Sequence, residues 1–228
     1  HTPRETVEKL SQTIRDAGLA VSMVTGDFAV PRNDEHGPDL LRNITPYLDL
    51  AETFGAGLIR VCMKTEEDIS WAQKASDEAR ERGIRLAHQA HLYSLFETIE
   101  GSLQVLKAVD RSNFGLIYEP ANWFVAGEEY GLETIKALQP YIFNVYVQNH
   151  RLNPEGEAEL KTWKMGPVRV DHIGIWEEGG VDFHEVFEAL HEIDYEGYVT
   201  VHQSFRGIMS VEEAVEKSGQ FLEGLIQG

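Results

Sequence analysis

Apolar residues along the chain follow two alternating rhythms. Thr2-Pro3-Arg4-Glu5 has the form of a capping box with proline at the first helical position. Val7, Leu10 and Ile14 then make a stripe at helical spacing, and Gly18 closes it. A short apolar run over 19–24 predicts a strand, followed by a loop rich in Pro, Asp and Gly. The same reading predicts a helix over 39–54, a strand over 58–63, a helix over 70–82, a strand over 84–89 and a helix ending at Val109. Beyond it come a strand over 114–119, a short helix over 132–138 and a strand over 142–148. Asp182-Phe183-His184-Glu185 opens a helix with Val186, Phe187, Leu190 and Ile193 on one face; a strand over 198–202 and a helix from Ser210 follow.

Six strands, each separated from the next by a helix, require parallel pairing through right-handed crossovers. Strand-to-strand spacing of about thirty residues is that of a (β/α)8 TIM barrel of roughly 250 residues. The expected fold class is therefore α/β, with 1–228 as a single barrel domain. A doubly wound open sheet ranks below it, because no glycine-rich phosphate fingerprint follows any strand. Six strands are two short of closure. A strand–helix–strand of roughly 45 residues before His1 would supply them, and the chain opens on His rather than Met. The expectation is an N-terminally incomplete barrel, or a gap filled by another chain.

Composition narrows the functions. No apolar run approaches the ~18 residues of a membrane span, and no signal-peptide pattern opens the sequence. Lys and Arg number 20 against 38 Asp and Glu, a formal net charge of -18, which repels nucleic acid and anionic lipid. Cys62 is the only cysteine, so neither an internal disulfide nor a cysteine-based zinc site can form. A cytoplasmic protein acting on a small molecule is the expectation.

Several segments, taken in order, carry a resemblance. They are Gly55-Ala56-Gly57-Leu58-Ile59-Arg60-Val61, Gly83-Ile84-Arg85-Leu86-Ala87 and Asn113-Phe114-Gly115-Leu116-Ile117. Gly180-Val181-Asp182-Phe183 with Gly197-Tyr198-Val199-Thr200-Val201 completes the series. Their order and spacing resemble xylose-isomerase-like TIM barrels over nearly the whole chain. That superfamily holds sugar (phosphate) isomerases and epimerases, inosose dehydratase and endonuclease IV-like proteins. The resemblance implies a divalent metal (Mn, Mg or Zn) held by Glu, Asp, His and Glu at four strand ends. Those positions fall at Gln89, Glu119, Tyr146 and His202, so one carboxylate stands where the family has three. The ligands it leaves are Glu119 and His202, helped by Gln89. It also places His91 on the substrate side, and Asn122 where a second substrate histidine is usual.

The residues themselves add to this. Side chains two apart along a barrel strand share the interior, and strand ends are where barrel enzymes place their chemistry. Gln89, Glu119, Tyr146 and His202 then form one layer, with Ala87, Ile117, Asn144 and Thr200 beneath. Two schemes are open at this point. In one a metal is retained on the reduced shell. In the other Glu119 or His202 is a general base taking a proton beside a carbonyl, with Tyr146 and Gln89 donating to the enolate oxygen. Trp123 offers a ring face to a sugar or else packs its loop. Gln148-Asn149-His150-Arg151 reads as a polar substrate set, with Arg151 able to grip an anion. The stretch 152–180 lacks clear periodicity and reads as a lid whose Trp163, Lys164, Arg169, His172 and Trp176 either close over substrate or bury a subunit contact. His88 alternates outward and reads as a core histidine. The leading function is a sugar isomerase or epimerase, or a related lyase, on a keto-sugar or sugar acid. A non-catalytic sugar-binding or partner barrel and an endonuclease IV-like hydrolase are the alternatives, and a homo-oligomer is open under each of them.

Overall fold

The computed structural model describes residues 2–26, 39–205 and 208–227. The chain folds as two compact units, His1–Gln89 with Gln104–Leu116, and Ala90–Leu103 with Ile117–Gly228. Among the described residues no helix is long and apolar enough to cross a membrane.

The first unit begins with helix α1 (Arg4–Asp16), whose N-cap position is Pro3 without any side-chain cap. Thr2 therefore does not serve as the expected cap. Gly18 ends the helix at φ 70, a left-handed conformation that glycine adopts without strain. Strand β1 is only Val24–Thr25, shorter than the apolar run from Leu19 predicts. The helix expected over 39–54 is two, α2 (Asp39–Arg42) and α3 (Thr45–Phe54). Pro46 lacks an N–H, and its ring would clash with the carbonyl of Arg42 in a continuous helix, so the chain breaks and restarts. The loop expected between β1 and α2 lies largely outside the described residues.

Strand β2 (Leu58–Val61), helix α4 (Glu67–Glu81) and strand β3 (Arg85–Gln89) follow. The strands run parallel in the order β1-β2-β3, with Arg60 opposite Ala87 and Val61 opposite His88. Leu86 N–H donates to Asn113 O at 2.8 Å, which starts the next ladder. Ala72, Ala75 and Ala79 form the buried face of α4, so a helix of small residues lies close against the sheet. Leu40, Leu48, Ile59, Met63 and Leu86 are fully buried, and each contributes roughly 1.5–3 kcal/mol of transfer free energy. His88 is a core residue, its ring against the carbonyls of Met63 and Gln89.

Helix α5 (Ile99–Val109) and strand β4 (Phe114–Tyr118) are shared between the units. The second unit continues with α6 (Pro120–Val125), α7 (Leu132–Leu138) and β5 (Ile142–Val147). Later come α8 (Phe183–Glu192), β9 (Val199–Val201) and α9 (Val211–Gln227). Its parallel strands stand in the order β4-β5-β9, with Tyr146 opposite Thr200. Asp182 caps α8 by accepting from the N–H groups of His184 and Glu185, and Val186, Phe187 and Leu190 are buried on one face, as the sequence pattern predicts.

The stretch 152–180 departs from expectation. Strands β6 (Asn149–Leu152), β7 (Ala158–Thr162) and β8 (Gly166–Ile173) form an antiparallel sheet in the order β6-β8-β7. Its side chains alternate between exposed charge and half-buried apolar positions. Gly166 at φ 73 closes the β7–β8 hairpin. Val170 is buried with Leu92, Val125 and Ala126, and Leu160 and Val168 pack against that cluster.

Candidate active site

Glu119 sits where β4 turns into α6. Its backbone is extended, at φ -135 and ψ 93, and Pro120 at the first helical position fixes the turn. The side chain is fully buried. Asn122, one turn on, reaches back with its amide nitrogen to Glu119 Oε2 at 2.7 Å and to Ala90 O at 2.8 Å. Because both partners are acceptors, that nitrogen must be the NH2 group. Gln148, at the β5–β6 junction, donates to Glu119 Oε1.

His202 directly follows β9 and is held by its own N–H donating to Val147 O at 2.9 Å. Its Nδ1 lies 3.2 Å from Glu119 Oε1. A carboxylate only accepts, so Nδ1 carries a hydrogen, and in the neutral ring Nε2 keeps the lone pair. Tyr146 stacks on the imidazole, centroids 4.3 Å apart and planes 26° apart. This follows from register: Tyr146 pairs with Thr200, and His202 is the next residue on that face. One layer below, Thr200 Oγ1 donates to Asn144 Oδ1 at 3.2 Å. Glu119, Tyr146 and His202 thus come together in the second unit, with Asn144 and Thr200 beneath. Gln89 is the buried last residue of β3 in the first unit.

A cavity of about 440 Å³ is lined by Gln148, His172, Val201, His202, Gln203 and Ser204, a size suited to a small polyhydroxylated molecule. A larger groove of about 830 Å³ runs along β9 and α9, lined by groups such as Phe205, Val211, Val215 and Leu222. Among the described residues that line it none is titratable, whereas the smaller cavity holds His172 and His202.

His172, expected only as one of the lid's aromatic and basic groups, lines the cavity, and so does Gln203, which the sequence did not single out. Nothing in the spacing reveals His172, because it reaches the cavity through the β6–β8 pairing. There it stands opposite His150, the two Nδ1 atoms 3.0 Å apart. His150 is buried, and its pKa falls from 6.5 to about 4. Desolvation is the main cause, the charge of His172 adds to it, and Glu119 opposes it. Gln203 joins the sheets, accepting from Asn149 N–H at 3.2 Å and donating to Ile173 O.

Other expected substrate residues have structural partners. Trp123 is fully buried and donates to Phe96 O at 3.2 Å, with Tyr118 at its edge, so its face is not open to a ligand. Asn149 Oδ1 accepts from the N–H groups of His150 and Val181, and its amide reaches Glu177 O. A β-carbon on Gly180 would lie 2.1 Å from that Oδ1, so only glycine lets the backbone pass. Arg151 is tied to Glu178 O at 3.0 Å. Lys164 Nζ pairs with Glu128 at 2.5 Å and Gly127 O at 3.0 Å. His91 is half-buried, with Nδ1 2.7 Å from Leu92 O, and does not line the cavity.

Comparison with known proteins supplies the family. The chain aligns with an inosose dehydratase of Clostridium perfringens at 25% identity over 126 residues, covering 54% of this chain and 41% of that one. It therefore spans less than half the length of that curated relative. Among solved structures, a xylose isomerase domain protein from Planctomyces limnophilus matches with a TM-score of 0.76 at 17% identity, over 98% of this chain and 82% of the other. A xylose isomerase-like TIM barrel protein from Mycobacterium smegmatis, solved with magnesium, matches with a TM-score of 0.70 at 18% identity, over 99% and 79%. At such identities these two matches speak for the fold alone. The family model described as "Xylose isomerase-like TIM barrel" matches residues 1–225, and the chain belongs to that family.

Proposed function

We propose that the protein acts on a small polyhydroxy ketone by removing a proton from the carbon beside the carbonyl, with His202 as the base. The observation that carries this reading is the Glu119–His202 contact at the wall of the cavity. The buried carboxylate fixes the tautomer that leaves Nε2 as acceptor, and it stabilises the imidazolium that forms when the proton is taken. Tyr146 holds the ring plane by stacking. Gln148 and Gln203 line the same cavity. The resulting enolate serves a dehydratase, an epimerase or an isomerase. Dehydration of an inosose is the activity for which a relative is named.

A divalent metal does not fit the residues present. Glu119 is a single carboxylate, and its oxygens are engaged by the N–H groups of Asn122, Gln148 and His202. Among the described residues no three His, Cys, Asp or Glu side chains gather as a metal site requires. The chemistry here is therefore derived from side chains alone.

The test is exchange of the proton alpha to the carbonyl in D2O, followed by NMR over a panel of inososes and keto-sugars. Wild type exchanges at least one of them, and chelation by EDTA leaves the rate unchanged. His202→Gln and Glu119→Gln each lower kcat by about 10²–10⁴-fold. Ligand-induced thermal stabilisation without any exchange overturns the catalytic reading in favour of a sugar-binding protein. Loss of exchange on chelation overturns the metal-free scheme.

A further inference from the structure

Two imidazoles face the same cavity, and their hydrogen-bond partners give them opposite properties. His202 spends its Nδ1 hydrogen on Glu119, so the nitrogen left over is a proton acceptor. His172 is an exposed residue whose Nδ1 meets the Nδ1 of the buried His150. A hydrogen bond between two such nitrogens needs one donor and one acceptor. Desolvation disfavours a charge on the buried His150, so in a charged pair His150 is the acceptor and His172 the donor. Neighbouring charges agree with this. Glu157 Oε1 accepts the backbone N–H of His172 at 3.3 Å, and Asp171 precedes it in β8, with Arg151 facing Asp171 across the ladder. In that state His172 donates through Nδ1 to His150 and carries a second hydrogen on Nε2.

We propose that His172 is the general acid of a β-elimination in which His202 is the base, which makes the protein a dehydratase of a β-hydroxy ketone; this rests on the function proposed above. His202 Nε2 takes the proton from the carbon beside the carbonyl, and the C–H electron pair becomes the enolate. As the enolate collapses, the carbon–oxygen bond at the next carbon breaks. The hydroxyl departs with that pair and with the Nε2 hydrogen of His172, as water. The substrate has lost one H2O and gained a carbon–carbon double bond. His202 ends protonated and His172 neutral, still bonded through Nδ1–H to His150. Proton return through solvent restores both, and no oxidant or reductant is involved. His150 does not touch substrate in this scheme; it is a positioning residue that keeps the His172 ring turned and its Nδ1 occupied.

The experiment follows two signals in one NMR reaction in D2O with an inosose: deuterium entry alpha to the carbonyl, and appearance of the dehydrated product. His172→Gln is expected to lose dehydration by about 10²-fold or more, and to lose far less of the alpha exchange that His202 carries out. A deoxyfluoro inosose, whose fluoride leaves without protonation, should be eliminated by that variant at close to the wild-type rate. His202→Gln loses both signals with either compound. Wild-type dehydration in His172→Gln overturns the proposal, as does a loss of exchange and of fluoride elimination in parallel with dehydration. If His202→Gln keeps exchange, or wild type shows neither signal, the function proposed above falls and this inference with it.

Discussion

His150 shows how one residue carries a cost of folding. Its ring is buried against a second imidazole, which holds its pKa at about 4 against the ordinary 6.5. The unfolded chain therefore binds a proton at His150 at pH values where the folded protein does not. The contribution is complete above pH 6.5 and is lost as the pH falls towards 4. Each pKa unit is worth about 1.4 kcal/mol, so the loss at this residue is about 3 kcal/mol. Urea unfolding of His150→Asn should show a shallower fall in stability between pH 6.5 and pH 4 than wild type. Equal slopes would place the acid sensitivity elsewhere.

At the scale of elements, the β6-β8-β7 sheet depends on a residue far from it in sequence. Glu97 is buried, and its carboxylate accepts from the backbone N–H groups of Tyr93, Trp163 and Lys164 at 2.6, 2.9 and 2.8 Å. Two of those donors form the tip of the β7–β8 hairpin. Lys164 adds its pairing with Glu128, and Trp163 packs on Tyr93 with centroids 5.3 Å apart. Glu97→Gln replaces one acceptor oxygen by a donor and leaves a buried N–H unmatched, which costs about 1–3 kcal/mol. Hydrogen exchange should quicken at the amides of Trp163 and Lys164, while those of β5 keep wild-type protection. Uniform quickening throughout the second unit would mean that the hairpin is not a separate opening element.

For the whole molecule, the formal charge of -18 sets a background of self-repulsion. The exposed pairs, such as Arg4–Glu8 and Lys217–Glu213, are of the kind that adds little stability. Raising NaCl from about 0.01 M to about 0.15 M shortens the screening length from about 30 Å to about 8 Å. The thermal midpoint should rise by a few degrees over that range. A fall would show that local ion pairs outweigh the net charge.

The strand–helix rhythm, the parallel strands and the family were legible in the sequence, because hydrophobic periodicity and glycine positions are local properties that the barrel repeats. Asp182 as a cap and the buried face of α8 belong to the same class. The end-of-strand rule likewise pointed to Glu119, Tyr146 and His202, since alternation along a strand decides which side chains share a face. The β6-β8-β7 sheet was not legible, because its strands carry exposed charge between half-buried positions and are stabilised by partners such as Glu97 and Leu92 that lie some seventy residues away along the chain. For the same reason His172 could not be paired with His150, nor Lys164 with Glu128, before the fold was known. Which residues can act is written in the chain; which nitrogen holds a proton and which offers a lone pair depends on neighbours brought together only by tertiary packing.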